Sequence, residues 1–151
     1  MVLTQKETSL LNDLKSQEQL CIEKYQKYQA DAHDPALKNL FGNILSAEQS
    51  HLKTVNEILG GTNVSTGTAP TAASQTYTGS PSMCTAEEKQ ADGYLCRDAL
   101  AMEKHVSSVY DISIFEFSNP TLRDTLAHIQ KEEQNHGQQL YGYLSVNGMY
   151  S

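Results

Sequence analysis

Glu48-Gln49-Ser50-His51 recurs 85 residues further on as Glu133-Gln134-Asn135-His136, and at the same offset Glu18 recurs as Glu103. Each half of the chain therefore carries a Glu and, thirty residues later, a Glu-Gln-x-His. Outside these residues the offset also matches Leu10 with Leu95, Asp13 with Asp98, Tyr25 with Tyr110, Pro35 with Pro120, Leu37 with Leu122, Ile44 with Ile129 and Leu59 with Leu144. Residues 8–60 lie on 93–145 without a gap. A repeat of this length is one supersecondary unit used twice. One Glu on the first helix of a hairpin and Glu-x-x-His on the second, both duplicated, is the ligand plan of a dimetal four-helix bundle.

The helices are legible around that core. Thr4-Gln5-Lys6-Glu7 and Thr85-Ala86-Glu87-Glu88 read as capping boxes. Pro35 and Pro120 suit the first turn of a helix, and Asp34 and Asn119 stand before them as caps. The signals predict helices near 4–32, 35–59, 85–117 and 120–145, in two hairpins, 4–59 and 85–145. Loops of a few residues make the helices of each hairpin antiparallel neighbours. Residues 60–84 are rich in Gly, Thr, Ser, Ala and Pro, without helical period. They read as a flexible spacer or as a crossover. A helix of ~25 residues is ~38 Å long, and an extended segment of this size reaches roughly twice that. Neither hairpin buries its apolar stripe alone, so the crossover is the better reading. The expectation is a single all-α domain over 1–151.

Steps of three and four place the ligand candidates on their helices. They select Leu11, Leu14, Glu18, Cys21, Tyr25 and Tyr28 in the first helix, and Leu37, Phe41, Ile44, Glu48, His51, Val55 and Ile58 in the second. In the third they select Ala99, Glu103, Val106 and Tyr110, and in the fourth Leu122, Leu126, Ile129, Glu133, His136, Leu140 and Tyr143. Each series is an apolar seam facing a bundle core. Each is interrupted at mid-length by a carboxylate, in two helices followed by a His one turn on.

A single Glu-x-x-His on a helix is common and is usually an exposed pair. Four carboxylates on core seams are a different matter. An unpaired buried carboxylate is destabilising by several kcal/mol or more, and no Lys or Arg shares these seams. Two divalent cations balance the four charges, with Glu18, Glu48, His51, Glu103, Glu133 and His136 as ligands. The competing possibility is a bundle that keeps the pattern and works without metal. The duplication makes His51 and His136 pseudo-equivalent, so their replacement should have similar effects.

Tyr25 and Tyr110 lie two turns beyond Glu18 and Glu103 on the same faces. They are candidates to hydrogen-bond a ligand or pass electrons, and equally large core fillers with satisfied hydroxyls. His33 falls in a loop, while His105 and His128 fall off the seams and read as surface residues. Met102 reads as packing. Cys21, Cys84 and Cys96 form no Cys-x-x-Cys and read as reduced core or linker residues.

The formal net charge of −7, with no block among eleven Lys and Arg, argues against nucleic acid or an anionic membrane as main partner. No apolar run approaches a membrane span. Met1-Val2-Leu3-Thr4-Gln5 lacks a signal-peptide pattern, which predicts an intracellular protein.

The six ligand candidates resemble the set of the ferritin-like superfamily, which includes bacterioferritins and rubrerythrins. More narrowly, Gln17-Glu18-Gln19-Leu20-Cys21-Ile22-Glu23-Lys24-Tyr25, Asp34-Pro35-Ala36-Leu37-Lys38-Asn39-Leu40-Phe41 and Glu48-Gln49-Ser50-His51 resemble the spore coat F family of endospore-forming bacteria. The resemblance implies a ferritin-like four-helix bundle with a long crossover between its second and third helices, associated with the spore coat. Against that superfamily's other members, these residues predict no fifth helix, no Met placed for haem and no rubredoxin-like module. Two functions follow as expectations. One is a di-iron or di-manganese oxidoreductase, a ferroxidase or a peroxidase or catalase-like protein, acting on dioxygen or peroxide. The other is a structural coat protein, assembling with itself or with other coat proteins, whose metal site is a staple or a remnant. Fe and Mn accept the same nitrogen and oxygen ligands, so either metal suits the set.

Overall fold

The computed structural model describes residues 2–64 and 76–150. Within them lie four helices, α1 (Gln5–Asp31), α2 (Pro35–Leu59), α3 (Ala86–Glu116) and α4 (Pro120–Val146). Thr4 and Thr85 stand just outside α1 and α3 as N-caps, and both capping boxes form as the sequence predicts. Asp34 caps α2 through the Ala36 amide, and Asn119 caps α4 through the amides of Thr121 and Leu122. The Pro after each cap occupies the first helical turn, where its missing N–H leaves no hydrogen bond unmade.

Short loops make α1–α2 and α3–α4 antiparallel hairpins. The hairpins join through α1 against α3 and α2 against α4. Lys6 meets Glu116 at one end of α1 and Lys24 meets Asp98 towards the other, so α1 and α3 are antiparallel too. The result is the expected four-helix bundle. The seams supply the core: Leu11, Leu14, Tyr25, Phe41, Ile44, Val55, Val106, Tyr110, Leu126 and Leu140 are all closed to solvent or nearly so. Met102 packs as expected, and Cys21 and Cys96 lie in the core with free thiols, while Cys84 is half-buried in the linker.

Of the predicted crossover, 60–84, residues 65–75 lie outside the described residues. Its two ends are placed. The Thr125 hydroxyl donates to the Val64 carbonyl at 2.8 Å, near the start of α4. Gln138 donates to Thr76 at 3.2 Å, and the Tyr77 ring meets Tyr143 edge-on at 5.3 Å, near the end of α4. One placed end, at Val64, thus lies near the start of α4 and the other, at Thr76 and Tyr77, nearer its end, and both cover α4. Gly142 lets the latter come close: a Cβ there would sit 2.9 Å from Tyr77 Cβ.

The α1–α2 loop is fixed from the other hairpin. Asp92, fully buried on α3, accepts from the amides of His33 and Asp34 at 2.8 and 2.9 Å. Tyr143 donates to the second oxygen of Asp34 at 2.7 Å. Among the described residues no helix is long and apolar enough to cross a membrane.

Candidate metal centre

Each of the four helices brings its seam carboxylate to mid-bundle, and α2 and α4 each add a His one turn later. Glu18, Glu48, His51, Glu103, Glu133 and His136 are all buried. Their ligating atoms form two groups. Glu18, Glu48, His51 and Glu133 make one, and Glu48, Glu103, Glu133 and His136 the other, with the atoms of each group within 4.8 Å of one another. Glu48 and Glu133 belong to both. Glu18 and Glu103 each belong to one.

The histidines reach across the hairpins. His51 Nδ1 lies 2.9 Å from Glu133 Oε1, and His136 Nδ1 lies 3.1 Å from Glu48 Oε1. Each is further from the Glu of its own helix, at 3.7 and 4.0 Å. The two rings lie 6.1 Å apart, nearly parallel.

Tyr25 and Tyr110 also cross between hairpins. Tyr25 on α1 donates to Glu103 Oε1 on α3 at 2.5 Å, and Tyr110 on α3 donates to Glu18 Oε1 at 2.7 Å. Each carboxylate that belongs to a single group is thus held by a buried phenol from the other half. Burial, and the carboxylate beside each ring, push both phenols well above their ordinary pKa. They stay protonated donors. Both hydroxyls are satisfied by a carboxylate among the ligand candidates, and both rings fill the core.

The charges settle against one another through protons. Burial, and then the neighbouring Glu48, hold Glu18 well above the ordinary carboxylate range. Burial, and then Glu103, do the same to Glu133. Burial pushes Glu48 up as well, but the facing Glu18 carboxyl and the two imidazoles outweigh it and hold Glu48 well below that range. Burial opposes charge on His51 and His136. The Glu132 and Glu48 carboxylates beside it lift His51 to about 10, and Glu103 and Glu48 lift His136 to about 9.

Protons leave the cluster incompletely satisfied. Both oxygens of Glu48 and of Glu133, one each of Glu18 and Glu103, and Nδ1 of both histidines are buried and make no well-directed hydrogen bond, although the imidazole nitrogens lie within ion-pair reach of the carboxylates. Eight such atoms converging on one interior point are rare in native proteins. Carboxylate oxygens and imidazole nitrogens are the donors that divalent transition metals take. The residues present fit two such ions.

Two residues beside the site escape a seam reading. Glu132 Oε2 accepts from His51 Nε2 at 3.2 Å, and its other oxygen lies 2.8 Å from His128 Nε2. His128, expected on the surface, is instead half-buried in this chain of contacts. The available signal is the four-residue spacing of His128 and Glu132, which puts them on one helix face beside the seam. Since a carboxylate accepts, Nε2 of His51 carries a proton and Nδ1 faces the cluster. His33 and His105 are exposed, as expected, with His33 Nδ1 3.5 Å from Glu88.

No curated protein and no solved structure matches the chain. The stretches that resemble the spore coat F family lie in the first hairpin, whereas residues 91–151, nearly all of the second, match the family model of the Coat F domain. The resemblance read from one half of the chain is thereby supported independently by the other half, and the family that the chain resembles is the spore coat F family.

Proposed function

We propose that this is a spore coat protein of the Coat F type whose bundle holds two divalent ions, iron or manganese, in a carboxylate-bridged pair. The observation that carries the reading is the sharing of Glu48 and Glu133 between two buried four-residue groups. Glu18 with His51 would complete one position, and Glu103 with His136 the other. Six protein ligands shared by two ions leave coordination positions open, whereas structural metal sites are usually closed. When bound, such a pair supplies redox chemistry towards dioxygen or peroxide.

The chain's own part is geometry and enclosure. Tyr25 and Tyr110 orient the two terminal carboxylates, Glu132 orients His51, and the apolar seams above and below close the centre off along the bundle axis. Elemental analysis of protein purified without added metal tests the reading, with iron or manganese near two per chain expected. Protein loaded anaerobically with ferrous ion should then consume dioxygen or peroxide faster than free ferrous ion in the same buffer, and Glu48→Ala should abolish this.

A second reading has its own support in the Coat F match. The protein is then a structural part of the coat, assembling with copies of itself or other coat proteins, and the ions only tie the helices together. Metal-loaded protein that neither oxidises ferrous ion nor decomposes peroxide, yet melts higher than chelated protein, selects this reading.

A further inference from the structure

The duplication lets each half serve as a control for the other. All six ligand candidates are matched across the 85-residue offset, but their surroundings are not. Glu132 supports His51 from behind. The residue that would do the same for His136 is Ala47, and the counterpart of His128 is Asn43. In their place lies a cavity of about 230 Å³ that Asn43, Ala47 and His136 line, with Glu132 at its wall.

A second mismatch lies on the neighbouring face. Leu52 on α2 corresponds to Gly137 on α4. Beside Gly137 a cavity of about 300 Å³ opens between α3 and α4 and reaches both Glu103 and Glu133. The recess around Leu52, at the matching place on the first hairpin, has none of the six candidates in its lining. Leu100 and Tyr141 help wall the Gly137 cavity. A Cβ on Gly137 would meet only Leu100 Cδ1, at 3.7 Å, so there is room for a larger side chain.

Both openings reach the group completed by Glu103 and His136. Neither Glu18 nor His51 lines either cavity. An ion leaves a carboxylate site when water replaces its ligands one at a time, so access of water to those ligands governs exchange. Support of a ligating imidazole from behind acts in the same direction, since removing such a partner typically weakens metal binding 10–100-fold.

We infer that the two cation positions are inequivalent, with the Glu103–His136 position exchanging through the Gly137 cavity and the Glu18–His51 position, where Glu132 is the positioning residue, retaining its ion. This rests on the two-ion reading above. It gives the halves different tasks within one site: the first holds, and the second takes up and releases.

The test loads the full chain with Mn²⁺ to two ions per chain and follows release into excess chelator by electron paramagnetic resonance. Two phases of equal amplitude are expected, separated at least about tenfold in rate. Glu103→Gln should remove the fast phase and Glu18→Gln the slow one. Gly137→Leu, which copies Leu52, should slow the fast phase several-fold without lowering the melting temperature, because it removes a glycine from a helix interior. Gly137→Ala should slow it less. Glu132→Ala should speed the slow phase about 10–100-fold, and Glu132→Gln, which keeps an acceptor for His51, should restore most of the retention. Release of two ions in a single phase overturns the inference and leaves the two-ion reading standing. So do two phases that none of the Gly137 or Glu132 variants moves. Binding of fewer than two ions per chain overturns the two-ion reading itself.

Discussion

Tyr25 and Tyr110 show how a single hydroxyl can matter at this centre. Each donates to a carboxylate oxygen whose partner oxygen has no hydrogen bond. Tyr110→Phe keeps the ring and removes only the donor, leaving Glu18 without its one protein hydrogen bond from α3. Unfolding in urea should show a loss of about 1–2 kcal/mol, and Tyr25→Phe should lose a similar amount through Glu103. An unchanged midpoint in both would mean that the phenols serve the centre only as packing. His51 and His136 look interchangeable at the level of the repeat, but Glu132 makes them different. His51→Ala and His136→Ala should each lower metal content per chain, measured by elemental analysis, and the effects should be unequal.

At the scale of helices and loops, one contact starts a helix and another ties a loop to the opposite hairpin. The Thr85 capping box starts α3, and Thr85→Ala should lower stability by about 1 kcal/mol. Asp92→Ala should be worse. It strips the acceptors from the amides of His33 and Asp34, of which Asp34 is buried. The loss should reach about 2–3 kcal/mol in a denaturant titration. A value under about 0.5 kcal/mol, typical of surface changes, would show that the loop holds itself. The caps were legible in the sequence because capping is local: Thr-x-x-Glu and Asp-Pro carry their partners within three residues. The Asp92 contact was not, since nothing near Asp92 indicates that its partners are the amides of a loop 58 residues earlier. The same reason hid the crossover's path. Seam periodicity gave the buried face of α1 almost residue by residue, yet α4 also buries Thr125, Gly142 and Leu144. Thr125 and Gly142 gain cover from the ends of the linker, at Val64 and Tyr77, and a composition of Gly, Ser and Thr does not state what a segment lies against.

Across the molecule, protons and cations compete for the same atoms. His51, at about 10, and His136, at about 9, bind protons more tightly in the folded chain than at their ordinary 6.5. The stability this contributes is complete below about pH 6.5 and is lost as pH rises through 9 to 10. Glu18 and Glu133, raised above 4.5, act with the same sign and begin to lose their contribution at lower pH. Glu48, lowered, has the opposite sign, and its contribution is present above 4.5 and lost in acid. Chelated protein should therefore melt progressively lower between about pH 6.5 and 9. Bound ions displace those protons, so loaded protein should be spared. The gap in melting temperature between loaded and chelated samples should widen with pH over this range, and a constant gap would exclude the histidines as ligands. The six residues of the centre were legible because a repeat and a helical period fix them together. The difference between their surroundings needed the structure, because an Ala opposite a Glu, or a Gly opposite a Leu, reads in sequence as ordinary drift.

That difference depends on the covalent connection between the hairpins. Two separate identical hairpins, paired about a twofold axis, would place the same side chain on both sides of the centre at every position. Glu132 could then not exist without a second Glu in place of Ala47, nor Gly137 without a second Gly in place of Leu52. A crossover that carries the chain from one hairpin to the other lifts this constraint, because each half is then encoded by its own stretch of sequence. The bundle is in this sense a dimer freed from its own symmetry, and the covalent connection between the hairpins is what makes that freedom available.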